Sequence, residues 1–169
     1  MENNIVIKKK GEAYIVEYGE AFFYCVIGKN GVTSDKKEGD WMTPVGTFNI
    51  QEVFYRKDRV EAFPCDFELN PISEDDGWCD DPTSPEYNRF VKIPYPFSAE
   101  NLWREDSLYD IVVVLDYNTN PVVPGNGSAI FIHVAKEGME YTKGCVALKK
   151  DELISLLGLI HKDTKVQIS

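Results

Sequence analysis

The chain of 169 residues contains two histidines and four cysteines, and one of each could together make a nucleophile. His133 lies in Ala129-Ile130-Phe131-Ile132-His133-Val134, a run with the composition of a buried strand. Alternation along a strand puts His133 on the face of Phe131, opposite Ile132 and Val134. Twelve residues after His133 comes Cys145, preceded by Gly144. A strand that leads into a loop and returns as Gly-Cys can bring a thiol back beside the imidazole. A free thiol titrates near about 8.5 and is only a few per cent thiolate at neutral pH; a neighbouring imidazole lowers that value and yields a nucleophile. Such a thiol is expected to alkylate well below about pH 8. Gly144 has no Cβ, so backbone N–H groups at residues 143–145 can approach a developing oxyanion. The bland alternative is a buried strand histidine beside a structural cysteine, and spacing alone does not separate the two.

Strands must position that pair. Residues 5–9, 13–18 and 21–27 are β-branched or aromatic and are separated by Gly11 and Gly19-Glu20, which predicts three strands. Another is expected over 45–55, led in by Thr43-Pro44. Residues 110–117, centred on Ile111-Val112-Val113-Val114-Leu115, predict a strand buried on both faces. Residues 128–135 predict a second. One helix is expected over about 150–161, with Leu153, Leu156, Leu157 and Ile160 on one face. A last strand is expected over 165–168. Between these, residues 56–108 carry Pro64, Pro71, Pro82, Pro85, Pro94 and Pro96. Proline at this density forbids long regular elements. The segment is also rich in Trp, Tyr and Phe, so a long, ordered, packed loop region is expected. Mainly β structure with one C-terminal helix follows, as one domain over residues 1–169 without repeats or linkers.

Composition narrows the partners. Eighteen basic and 28 acidic side chains give a net charge of −10. Neither nucleic acid nor an anionic membrane surface is therefore expected as a partner, because neither meets a basic footprint. No apolar run reaches the length of a membrane span. The first ten residues have their lysines after the apolar positions and no long apolar core, so they do not read as a signal peptide. If Met1 is the native start, a cytoplasmic location is expected. The cysteines Cys25, Cys65, Cys79 and Cys145 are not in CxxC spacing, which argues against a zinc knuckle. Cys25 and Cys65 read as structural, and His161 as a surface residue at the helix end. The acids Asp76, Asp80 and Asp81 lie near Cys79 but have no histidine close by, so neither a metal nor another cofactor is expected.

Two motifs sharpen the reading. Gly39-Asp40-Trp41-Met42-Thr43-Pro44-Val45-Gly46-Thr47-Phe48 has the form G-x-x-x-T-P-x-G-x-F. Downstream, His133 and Thr142-Lys143-Gly144-Cys145-Val146 have the form H…T-x-G-C-V. Together they resemble the L,D-transpeptidase catalytic domain (YkuD-type), over residues 30–157. The resemblance implies a mixed β-sheet sandwich and a cysteine acyl-enzyme on peptidoglycan stem peptides. It implies Cys145 as nucleophile, His133 as general base, Gly144 and Cys145 as backbone oxyanion donors, and the Val134 carbonyl as the third partner.

The chain departs from the family pattern in four places. Lys143 stands where a histidine precedes the Gly-Cys, and Ala147 where an arginine follows. Val134 stands where the residue is usually smaller or polar, and the His-to-Cys interval is shorter than usual. A cationic contact is thereby lost. Replacements that could read a substrate carboxylate are Arg89 and Arg104, since arginine binds carboxylates bidentately; as alternatives, both are surface ion-pair partners. Lys143 lies beside the nucleophile. Trp78, Tyr95 and Trp103 could wall a peptide groove, or simply pack in the core.

The small, leaderless members of the family resemble cytoplasmic L,D-carboxypeptidases, which points to removal of a terminal D-Ala from muropeptide tetrapeptides. An L,D-transpeptidase that cross-links or exchanges D-amino acids is the alternative. A non-catalytic wall-peptide binding module, with His133 and Cys145 as relics, is a third. The oligomeric state is not legible from these residues.

Overall fold

The structure is a computed structural model and describes residues 3–169. Its elements in chain order are β1 (Ile5–Lys10), β2 (Ala13–Tyr18), β3 (Ala21–Cys25), β4 (Val32–Thr33), β5 (Thr43–Pro44), β6 (Gly46–Tyr55) and β7 (Leu69–Pro71). Then follow β8 (Asp76–Cys79), β9 (Phe90–Lys92), β10 (Ala99–Asn101), β11 (Ile111–Leu115), β12 (Phe131–Val134), β13 (Val146–Leu148), α1 (Lys150–Leu159) and β14 (Lys165–Ile168). The fold is mainly β, with a mixed sheet and one C-terminal helix.

The principal sheet has the order β13-β12-β11-β6-β14-β1-β2-β3, with β7 added to β6. Pairs β1–β14, β12–β13 and β6–β7 are parallel, and the other ladders of this sheet are antiparallel. The sheet rolls until its two ends touch. Val26 N–H donates to Ala147 O and Ala147 N–H to Val26 O, both at 2.9 Å.

β11 shows why the roll has an inside and an outside. All five of its residues are buried. Ile111, Val113 and Leu115 join the large core inside the roll, with Ile5, Ile7, Val53, Val166 and the helix residues Leu153, Leu156 and Leu157. Val112 and Val114 face outward and are covered by Trp78, Leu102 and Tyr109. Period-two alternation divides β12 in the same way: Ile132 and Val134 lie inside, and Phe131 outside.

The cover is the proline-punctuated segment. It contains only the short strands β7, β8, β9 and β10, of three or four residues each. The last three form a small sheet in the order β10-β8-β9. Several expected strands are shorter than their apolar runs. β12 starts at Phe131 because Ala129 adopts a left-handed φ of 54°, which interrupts a ladder. α1 stops at Leu159, so His161 lies in the exposed turn beyond it, where its N–H donates to Thr164 Oγ1 at 2.9 Å.

Gly28 sits where β3 runs out against the rolled edge. A Cβ built there would lie 2.6 Å from Trp41 O and 2.9 Å from Met42 Cα, and backbone cannot swing aside as a side chain can. Gly28→Ala is therefore expected to cost about 1–3 kcal/mol, read as a lower urea midpoint with an unchanged m-value.

Candidate active site

β12 and β13 run parallel with Ile132 opposite Val146 and His133 opposite Ala147. That register sets Cys145, the residue before β13, level with Phe131. Phe131 N–H donates to Cys145 Sγ at 3.4 Å, and the thiol donates to Ala129 O at 3.1 Å. Cys145 thus faces the same side of the sheet as Phe131 and His133, and both chemical groups line one cavity of about 510 Å³. Cys145 is half-buried and His133 buried.

The imidazole is oriented by the chain itself. His133 Nδ1 lies 2.9 Å from Val134 O. A carbonyl only accepts, so Nδ1 carries the proton and Nε2 is left with its lone pair. The Tyr109 ring stands edge-on to the imidazole, with centroids 5.3 Å apart.

The resting electrostatics reverse one expectation. Burial pushes the Cys145 thiol up to about 12, with the Glu100 carboxylate adding to the rise. Burial also pushes His133 down to about 4. No hydrogen bond joins the sulfur to the ring among the described residues; the thiol is spent on Ala129 O. The free site therefore holds a neutral thiol and a neutral imidazole, not a thiolate–imidazolium pair, because burial of the sulfur and of the ring penalises both charges. Rapid alkylation of the resting thiol below about pH 8 does not follow from this site.

Two threonines hold the turn that carries Cys145. Thr142 Oγ1 accepts from Gly144 N–H at 3.0 Å and donates to Cys145 O at 2.6 Å. Thr142 N–H in turn donates to Ile27 O at 2.8 Å. Thr43, fully buried, accepts from Gly28 N–H at 2.9 Å and donates to Gly144 O at 2.8 Å. Gly144 has φ 144°, and a Cβ there would lie 2.9 Å from Met42 O, so only glycine fits. The Gly144 N–H is thus already taken by Thr142. Among the described residues, the N–H groups of Lys143 and Cys145 donate to no protein atom, which leaves them as the open donors of the turn.

The sequence candidates divide. Lys143 and Arg104 line the cavity. Lys143 is exposed, stands over the Trp41 ring at 5.4 Å, and has no carboxylate at ion-pair distance among the described residues. The Arg104 guanidinium is forked onto Asp106 through Nε and Nη2, at 2.8 and 2.7 Å. The other four lie outside the cavity. Arg89 is an exposed partner of Glu86, 3.8 Å away. Trp78 is core, its indole N–H donating to Asn88 Oδ1 at 2.9 Å. Tyr95 shares a hydrogen bond with Ser84 at 2.7 Å. Trp103 lies beneath the Arg56 guanidinium, 3.5 Å from its ring centroid. These residues are consumed by the packing of the cover itself. The aromatics at the cavity are instead Trp41, Tyr109 and Tyr141. Among the described residues, no group of three or more His, Cys, Asp or Glu side chains could hold a metal ion. Thr43, Thr142 and Trp41 stood within the two motifs and could have been singled out there; Glu100 and Tyr109 carried no local signal.

The family model described as the L,D-transpeptidase catalytic domain (YkuD) matches residues 2–168. The chain belongs to this family. No curated protein matches. A solved structure of Bdellovibrio bacteriovorus Bd1075 is similar at 14% identity and a TM-score of 0.47, over 99% of this chain and 48% of that one. The chain thus spans about half the length of the protein it matches there. No helix is long and apolar enough to cross a membrane among the described residues.

Thr43→Val keeps the shape of the side chain but strips the hydroxyl that joins Gly28 to Gly144. Each buried backbone group left unpaired costs about 1–3 kcal/mol. The variant is expected to lose stability on that scale by denaturant titration, whereas Thr43→Ser retains it.

Proposed function

We propose that the chain is a cysteine acyl-transfer enzyme of peptidoglycan stem peptides that works as an L,D-carboxypeptidase, removing the terminal D-Ala of a tetrapeptide. The observation that carries the acyl-transfer reading is the placement of Cys145 Sγ and the lone pair of His133 Nε2 on one sheet face in one cavity, beside the open N–H of Cys145.

The chemistry follows from a neutral pair. The thiol turns from Ala129 O toward Nε2 as the scissile carbonyl enters. His133 removes the thiol proton while sulfur attacks the carbonyl carbon, so no free thiolate accumulates. The N–H groups of Cys145 and Lys143 receive the developing oxyanion. The imidazolium, steadied by Val134 O, then protonates the departing amine of D-Ala. Water, deprotonated by the same imidazole, attacks the thioester, and the imidazolium returns that proton to the departing Cys145 sulfur, restoring the neutral pair.

Lys143, without an anionic partner, can receive the free carboxylate of the departing residue in either reaction. One feature supports hydrolysis. The cavity of about 510 Å³ is within the range of a pocket for one small ligand, so water is the acceptor that fits once the donor is seated. Transpeptidation is the second reading, favoured by one observation: a neighbouring cavity of about 520 Å³ shares Met139 with the first and could admit an acceptor strand.

Mass analysis of purified protein incubated with disaccharide tetrapeptide separates the readings. Loss of one D-Ala with gain of water is expected; a cross-linked dimer, or exchange with an added D-amino acid, would replace hydrolysis by transpeptidation. Cys145→Ala is expected to abolish turnover with an unchanged circular dichroism spectrum, and turnover surviving in it would overturn the nucleophile.

The pH profile tests the base. His133 must be neutral to act, and its depressed value keeps it so in mild acid. We expect kcat/KM to fall only as pH drops through about 4, not through the ordinary imidazole value near about 6.5. An acid limb at the ordinary value would mean that the buried, neutral imidazole is not the working base.

A further inference from the structure

The cavity carries a charge pattern that the acyl-transfer step does not use. Glu100 and Asp80 line it together with Lys36, Arg104 and Lys143; burial raises the Glu100 carboxyl above the usual range, and the Tyr109 hydroxyl and the Arg104 and Lys143 charges oppose that rise. β10 and β8 are antiparallel with Glu100 opposite Trp78, which places Ser98 opposite Asp80 and puts both acids on one face of the small sheet. Glu100 Oε1 accepts from the Tyr109 hydroxyl, and Asp80 Oδ1 accepts from the Ser98 hydroxyl at 2.7 Å. The second oxygen of each has no protein partner among the described residues. The remaining carboxylate of the wall, Glu38, accepts two hydroxyls, of Tyr87 and Ser128, on Oε1. Of the cavity's cations, Arg104 is spent on Asp106 and Lys36 on Asp40.

We infer that Glu100, with Asp80 beside it, determines specificity by receiving a substrate ammonium, the side-chain amine of the diamino acid whose carbonyl is attacked. The inference rests on the proposed reaction. A stem peptide ending in a diamino acid and D-Ala presents an ammonium on the residue that forms the thioester and a carboxylate on the residue that leaves. The cavity presents open carboxylate oxygens on the small sheet and the open Lys143 ammonium on the cysteine turn. The two patterns are complementary. A peptide whose amine is capped would leave these half-buried oxygens facing an uncharged group, and a missing charged partner there costs affinity. Tyr109 links this pair to the chemistry: its hydroxyl holds Glu100 and its ring packs against His133. The same carboxylate opposes ionisation of Cys145 in the free enzyme, and an ammonium seated on it would relieve that opposition when substrate is bound.

The test separates this inference from the reaction it rests on by measuring binding without turnover. Disaccharide tetrapeptide with its diamino-acid side-chain amine free, and the same peptide with that amine acetylated, are titrated calorimetrically into Cys145→Ala protein. The free amine is expected to bind tighter by on the order of tenfold. Glu100→Gln in that background keeps an acceptor for the Tyr109 hydroxyl and is expected to bring the two affinities together; Asp80→Asn should narrow the gap less. Equal affinities in the Cys145→Ala protein, no binding of either peptide, or a preference that survives both substitutions would overturn the inference. With Cys145 present, Glu100→Gln should also speed alkylation at fixed pH, since a carboxylate no longer opposes the thiolate. An unchanged rate would mean that Glu100 carries no charge felt at the thiol and would overturn it too. Failure of turnover in the unsubstituted protein, with amine-selective binding intact, would refute the reaction alone.

Discussion

Cys145 is placed by backbone hydrogen bonding where the rolled sheet closes on itself. Val26 and Ala147 exchange both of their backbone hydrogen bonds. Within a few residues of that seam, Ile27 O takes the N–H of Thr142, and Gly28 N–H is held by the hydroxyl that also holds Gly144 O. A thiol on a free loop would sample many positions at the entropic cost of ordering it on each encounter. Here the turn is fixed from both sides, by Thr142 within it and by Thr43 across it. This explains why the upstream Thr-Pro segment and the downstream Gly-Cys segment occur together although 101 residues separate Thr43 from Gly144. One hydroxyl serves both.

The second constraint is burial. The face of β12 that carries His133 is covered by Trp78, Leu102 and Tyr109, and a covered face disfavours charge on either the thiol or the ring. Neutral groups are the outcome, and general-base proton transfer at the moment of attack is the chemistry that suits them. The cover has a second role. The segment supplying Trp78 and Leu102 to the core also supplies Asp80, Glu100 and Arg104 to the cavity wall. Strands of three or four residues suffice, because the small sheet must bury one face and present polar side chains at its margin. Ion pairs inside the cover, such as Arg56 with Asp58 and Arg104 with Asp106, use up the arginines that a substrate carboxylate could otherwise meet. Lys143 remains.

The sequence by itself determined the β character, the alternation of β11 and β12, and the helix, since each depends on residues within a few positions of one another. The five-residue run of β11 is short and β-branched, which reads as a strand buried on both faces, and alternation alone separates His133 from Ile132 and Val134. It also showed the two motifs that share the cysteine turn. What only the tertiary structure decided concerns residues brought together from far apart in the chain. Arg89, Trp78, Tyr95 and Trp103 are the right types for a peptide site, but long-range packing placed them elsewhere. Glu100 is one acid among 28 acidic residues, distinguished only because an antiparallel pairing turned it toward the thiol. The ionisation of Cys145 and His133 was likewise beyond local reading, since a side chain's type sets its ordinary acidity and its surroundings set the shift.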